Sequence, residues 1–141
     1  SMCRRFPDLS LLYSERAQAS GRERILWIDN IGMLSRLYAY GDIAYVGGAF
    51  GKGLHNVLEP AAFGKPVFFG PRYGRFPEAV EMIKEGCAFA VSFSQNLTSG
   101  IQKILADPAE RERISRTQIQ HIQQRSGATR MIADWCKENL L

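Results

Sequence analysis

Cysteine is scarce, and Cys3, Cys87 and Cys136 lie too far apart, without a CxxC spacing, to suggest a disulfide framework or a thiolate zinc site. Buried thiols in a reducing compartment are expected instead. Histidine is scarcer still: His55 and His121 are distant in sequence and carboxylates gather around neither, so no metal and no other cofactor is expected. Neither GxGxxG nor GxxxxGK[ST] occurs, which leaves a dinucleotide fingerprint and a Walker loop unsupported. No apolar run approaches the ~20 residues that a bilayer-spanning helix needs, and no charged-then-apolar leader opens the chain. The chain as it stands is expected to be soluble. Internal repeats and low-complexity segments are missing as well.

What is present suits one globular domain: 141 residues, 45% hydrophobic and 11% aromatic. A net charge of +4 and a pI near 9.1 favour anionic partners without naming one. Ser1 and Met2 read as a cloning remnant, and no complete element precedes "RRFPDLSLLYSE". The chain is therefore expected to be a piece of something longer, truncated at its N-terminal edge.

Five short apolar runs read as strands: "LSLLY" from Leu9 to Tyr13, "RILWI" ending at Ile28, "IAYVG" from Ile43, "PVFFG" from Pro66 and "AFAVS" from Ala88. They are nearly continuous rather than alternating, as parallel strands covered on both faces are. Helical spacing fills most gaps. "GMLSRLYAYG" sets Leu34, Leu37, Tyr38 and Tyr40 close to one face, and "FPEAVEMIKEG" sets Phe76, Val80 and Ile83 on another, with Gly86 as C-cap. Alternating β and α elements predict an α/β fold, a doubly wound parallel sheet. After Ser92 the pattern is helical to the end, punctuated by Pro108 and Gly127. Arg111, Arg113, Arg116, Arg125 and Arg130 are interspersed with Asp107, Glu110, Glu112 and Asp134, which predicts a solvated helix face and no nucleic-acid partner. In the last helix Met131, Ile132, Trp135, Cys136 and Leu140 form one apolar face, expected to dock on the body of the protein or on a missing neighbour.

The stretch "GGAFGKGLHNVLEP", Gly47 to Pro60, carries the chemistry. It leaves a strand at its carboxyl end, where open parallel sheets bind ligands. Its glycines Gly48, Gly51 and Gly53 let backbone N–H groups approach an anion. The next helix is expected to begin near Asn56, with Glu59 completing a capping box, and its N-terminus favours phosphate. Glu59 either caps that helix or accepts hydrogen bonds from a ribose diol. Lys52 and His55 would help neutralise a phosphate, although Lys52 reads equally well as a solvated side chain.

The segment "DNIGMLSRLYAYGDIAYVGGAFGKGLHNVLEPAAFGKPVFFGP" resembles the C-terminal, donor-binding half of the 3-deoxy-D-manno-octulosonic acid (Kdo) transferases, glycosyltransferases of the GT-B fold. The family pattern is a D-x-x-G-x-L segment, a strand ending in V-G-G-[SG]-F, a G-x-H-N-x-L-E-[PA] segment and G-x-P-V-x-x-G-P followed by an aromatic residue. Here these are Asp29 to Leu34, Val46 to Phe50, Gly53 to Pro60, Gly64 to Pro71, and Phe76. The likeness is dense from Asp29 to Glu85 and loose elsewhere.

The resemblance implies a domain over residues 1–141 that binds CMP-Kdo, within a parent that transfers Kdo to the lipid A precursor in lipopolysaccharide synthesis at the cytoplasmic face of the bacterial inner membrane. It implies that the backbone around Gly51 and Gly53, with His55 and Asn56, meets the phosphate or the Kdo carboxylate, that Glu59 binds the ribose, and that Gly48, Phe50 and Lys52 belong to the same substrate-binding set. Cytosine would lie against Ile31, Gly32 and Met33, a turn that alone reads as the start of a helix. Gly70, Pro71 and Phe76 would shape the donor pocket, although packing explains Phe76 equally well. The family's acceptor domain, catalytic carboxylate and membrane anchor have no counterpart here, so no catalytic residue is assigned and the piece alone is expected to be inactive. Departures fall at Leu54, where many members have glycine, at Met33, where many have glutamate, and at Arg75, where many have asparagine. A GT-B enzyme or epimerase using a UDP-sugar, and a non-catalytic nucleotide-binding module, remain alternatives.

Overall fold

A computed structural model describes residues 5–140, so Cys3 lies outside the described residues. The chain divides into two compact units, Ser1–Leu37 and Tyr38–Leu141.

The first unit is slight. Strands β1 (Ser10–Leu12) and β2 (Ile25–Trp27) pair in parallel with Leu11 opposite Leu26, and a helical turn, α1 (Leu34–Leu37), follows. None of its described residues is fully buried. Polar ties define its loops. Asp29 accepts hydrogen bonds from the Ser14 amide at 3.0 Å and the Ser14 hydroxyl at 2.6 Å, joining the ends of both strands, and the hydroxyl bond holds its carboxyl below the usual carboxylate range. Glu23 folds back on Ser20 and Gly21, and the Ser20 amide leads in bringing its pKa down to about 2.

The second unit holds the core. Strands β3 (Ala44–Val46), β4 (Val67–Phe69) and β5 (Ala88–Ala90) form a parallel sheet in that order, with Ala44, Val67 and Ala88 in register. All five predicted runs are strands, and the fold is α/β with parallel sheets and a helical C-terminus. The strands pair as two sheets rather than one among the described residues. Central β4 is buried along its whole length, which is why its sequence is an unbroken apolar run. Phe68 stacks on Phe89 at 5.0 Å between ring centroids.

Helix α2 (Leu58–Ala62) connects β3 to β4, and α3 (Pro77–Lys84) connects β4 to β5. Pro77 opens α3 after an extended Phe76, as the residue before proline must be. At its other end Gly86, at φ +68°, lets the Cys87 amide reach the Met82 carbonyl and its own amide reach Ile83, a Schellman ending. The face of α3 that is fully buried carries Ala79 and Met82, whereas the predicted Phe76, Val80 and Ile83 are only partly covered. The small alanine lets the helix approach the sheet, and the bulkier stripe flanks that contact.

Three helices close the chain: α4 (Ser94–Ala106), α5 (Pro108–Arg125) and α6 (Ala128–Leu140). Gly100 admits α4 against the core, since a Cβ there would stand 2.8 Å from the Phe68 ring. The Asp107 carboxylate caps α5 through the Glu110 amide at 3.0 Å. Ile114, Gln118 and His121 form the buried stripe of α5, at intervals of four and three residues. Gln118 donates to the Cys87 carbonyl at 2.8 Å, and His121 Nδ1 bonds Glu85 at 2.8 Å. The helical arginines pair with carboxylates: Arg113 with Glu110, Arg116 with Glu112, Arg125 with Glu81, and Arg130 with Asp134. The apolar face of α6 does not dock on the body as expected. Met131, Ile132, Trp135 and Leu140 stay exposed, and only Cys136 is half-buried.

Cys87 is fully buried at the end of α3, and burial pushes its thiol pKa up to about 11. The reactive thiolate is thus suppressed by both charge and access. Under native conditions a thiol reagent at pH 8 should modify Cys136 at least ~100-fold faster than Cys87. Peptide mapping by mass spectrometry checks this, and equal labelling would contradict the buried placement.

Candidate functional site

The loop leaving β3 is wound tightly on itself. The His55 amide donates to the Gly47 carbonyl at 3.1 Å and the Gly51 amide to the Gly48 carbonyl at 2.8 Å. Gly48 has φ +95°, and a Cβ there would collide with the Gly53 carbonyl oxygen. Only glycine satisfies both conditions. Leu54 and Val57 are buried and pin the far side of the loop to the core. Leu54, standing where the resembling family often has glycine, thus serves as an anchor.

A second loop, after β4, is fastened to the first. The Arg72 amide donates to the Ala49 carbonyl at 3.0 Å, and a Cβ on Gly70 would stand 2.7 Å from the Phe50 ring. Between the two loops lies an open cleft of about 610 Å³, lined by Gly51, Lys52, Gly53, Arg72, Gly74, Arg75 and Phe76. No carboxylate lines it. Among the described residues none of these three cations joins an ion pair, unlike the four paired arginines of the helices. The cleft is therefore electropositive and backbone-rich, a setting for an anion.

Helix α2 begins at Leu58, two residues later than the sequence suggests, and Val57 rather than Asn56 precedes it. The Asn56 Oδ1 accepts from the Leu58 amide at 2.9 Å while its Nδ2 donates to Glu59 Oε1 at 3.0 Å. This replaces the expected capping box. An Asx turn meets the helix amide, and the glutamate is held by a side chain instead of the backbone. Five residues also make α2 too short to offer the strong terminal dipole expected of it.

Glu59 opens onto a separate hollow of about 370 Å³ between α2, α3 and α5, together with Asn56, Glu78, His121 and Arg125. Its charge is felt at Tyr38, whose hydroxyl pKa is raised first by burial and then by Glu59. His121 brings a buried ring whose Nε2 has no partner.

The structure thus gathers Gly51, Lys52, Gly53 and Phe76 in one cleft and Asn56 with Glu59 in another. Gly48, Phe50 and Gly70 line neither and instead fix the shape of the loops. His55 is exposed beside Gly48, and Pro71 is exposed just ahead of Arg72. Ile31, Gly32 and Met33 belong to the first unit. Ile31 is fully exposed, Gly32 has φ +90°, and the Met33 carbonyl accepts from the Arg36 and Leu37 amides, opening α1. Sequence reasoning missed Arg72, which "PRYGR" could have signalled as two arginines bracketing a glycine beyond a strand. Glu78, His121 and Arg125 gave no local signal, because α5 reaches the hollow only through the tertiary fold. Among the described residues no cluster of His, Cys, Asp and Glu could hold a metal ion.

No protein-family model matches the chain. Curated relatives do. The 3-deoxy-D-manno-octulosonic acid transferase of Haemophilus influenzae is 34% identical over 115 residues, covering 79% of this chain and 27% of that protein. That of Bordetella pertussis is 32% identical over 130 residues, covering 88% and 30%. The chain therefore spans less than a third of the length of these relatives. Among solved structures, the C-terminal CMP-Kdo binding domain of WaaA from Acinetobacter baumannii matches with a TM-score of 0.76 at 25% identity, over 86% of this chain and 65% of that one. With the motifs from Asp29 to Phe76 and a fold in common, the chain belongs to the 3-deoxy-D-manno-octulosonic acid transferase family, to the part that this C-terminal domain represents.

Proposed function

We propose that this chain is the donor-binding portion of an enzyme that transfers Kdo from CMP-Kdo to the lipid A precursor at the cytoplasmic face of the inner membrane. The leaving phosphate rests on the Lys52 and Gly53 amides, the Gly51 amide being held by the Gly48 carbonyl, beside the Lys52 side chain, where fixed dipoles stabilise charge as CMP departs. The acceptor hydroxyl and the base that activates it come from another part of the parent. The contribution of this portion is electrostatic and positional, so it turns over no donor by itself.

The observation that carries the reading is the cation-lined cleft at Gly51, Lys52 and Gly53, which no carboxylate lines. The Glu59 carboxylate, one of its oxygens held by Asn56, opens onto a separate hollow. The other oxygen is left to accept from a ribose diol. Family membership supports the same nucleotide.

The test is a calorimetric titration with CMP, UMP and 2′-deoxy-CMP. CMP should bind more tightly than UMP and than its deoxy analogue. Glu59→Gln should weaken CMP by roughly 10- to 100-fold, the worth of a hydrogen bond to a charged group. Binding of the deoxy analogue should hardly change. Equal weakening of both would remove the ribose from Glu59, and a preference for UMP would point to a UDP-sugar enzyme.

A further inference from the structure

We propose that Arg75, together with Arg72, is a specificity determinant that recognises the carboxylate of an acidic sugar on the donor. The inference rests on the nucleotide reading above and extends it from the phosphate to the sugar.

The charge inventory of the 610 Å³ cleft is the starting point. Lys52, Arg72 and Arg75 all line it, no acidic side chain does, and among the described residues no carboxylate pairs with any of them. A phosphodiester carries a single negative charge, which Lys52 and the loop amides can meet. Two guanidinium groups are then left over. An ulosonic acid donor differs from a neutral sugar nucleotide in carrying a second anion beside its anomeric carbon. The planar fork of arginine matches a carboxylate with two parallel hydrogen bonds, which a lysine cannot provide.

The framework positions both groups for that task. Arg72 is rooted by its amide on Ala49 and reaches the Gly51 carbonyl with Nη1 at 3.5 Å, so it stands over the glycine loop. Arg75 immediately precedes Phe76, whose ring tip lies against Gly53 and which lines the same cleft. With a phosphate at the glycine loop, Arg72 and Arg75 are the remaining cations that line the cleft. Arg75 also stands where the family pattern often has a neutral asparagine, so this chain adds a full charge at that position.

The experiment titrates the chain with CMP, supplied as its methyl phosphodiester so that its phosphate carries the single charge it has in the donor, and with freshly prepared CMP-Kdo, for the unaltered protein, Arg75→Asn, Arg72→Gln and the double variant. The unaltered protein should bind CMP-Kdo at least tenfold more tightly than CMP. Arg75→Asn should weaken CMP-Kdo about tenfold and leave CMP within about twofold, and the double variant should erase the preference. Both arginines are exposed, so the melting temperature should not move, which excludes unfolding as the cause. Equal weakening of both ligands would assign the arginines to the phosphate and overturn the inference, while the nucleotide reading stands. No weakening of either ligand would overturn it too. Failure of the unaltered protein to bind CMP at all would instead bring down the nucleotide reading and this inference with it.

Discussion

On the proposed reading, Gly48→Ala should raise the CMP dissociation constant by more than about 100-fold, and it should lower stability by about 3 kcal/mol. A left-handed backbone costs a residue with a Cβ roughly 1–2 kcal/mol. The collision with the Gly53 carbonyl adds to this, because the obstacle is main chain and cannot rotate aside. Relief requires the loop to open, which breaks the His55 amide bond to Gly47 and displaces the Gly51 and Gly53 amides together. Thermal unfolding should show a fall of about 10 °C. Gly51→Ala is the control. Its Cβ would meet nothing closer than the Gly48 carbonyl oxygen at 3.6 Å and its φ is not positive, so its stability should change by under ~1 kcal/mol. If Gly48→Ala melts and binds like the unaltered protein, the loop geometry described above is wrong.

Phe68→Ala removes about 3–5 kcal/mol, a large share of what holds a domain of this size together. The ring is 1% exposed, stacks on Phe89 and fills the space that Gly100 leaves on α4. Its loss leaves a cavity walled by strand and helix backbones, which cannot collapse far. The melting temperature should fall by at least 10 °C. Phe93→Ala, at a side chain 68% exposed, should change it by no more than about 2 °C. Equal effects would mean that β4 is not the centre of the core. The same strand leads into the loop that carries Gly70 and Arg72, so a loosened β4 should also weaken CMP binding even where the variant remains folded.

The position of β4 was legible because a strand buried on both faces must be apolar throughout, as "PVFFG" is, whereas the other four runs are apolar yet only partly covered, with Leu26 and Tyr45 exposed. The ending of α3 was legible for a similar local reason, since Gly86 supplies the positive φ that a Schellman turn requires. The start of α2 was legible in part: the Asn56 side chain accepts from the Leu58 amide two residues on, as a capping residue does, but it is the Asn56 side chain and not its backbone that meets Glu59. The buried stripe of α3 was misplaced because Ala79 is too small to signal burial by hydrophobicity, although close approach to the sheet needs a small residue there. The candidate site was legible along the glycine loop, whose residues are neighbours in sequence. Its arginines and the α5 side of the second hollow come from 20 to 70 residues away, where no spacing rule operates. The separation of Glu59 from the cation-lined cleft belongs to this second kind of information.

The Asn56 amide has one more consequence. A glutamate immobilised by a ligand gives up as much as about 1.5–2 kcal/mol of rotamer freedom. Asn56 restrains Glu59 in the folded chain, so on the proposed reading a sugar would meet a carboxylate already confined, and less of its binding energy would be lost in ordering the protein. Aspartate at 56 would keep the bond from Leu58 but would set a second negative charge where an N–H now stands, 3.0 Å from Glu59. Holding a helix amide and a carboxylate at once suits a short side chain whose acceptor and donor sit on separate atoms, as the Oδ1 and Nδ2 of asparagine do.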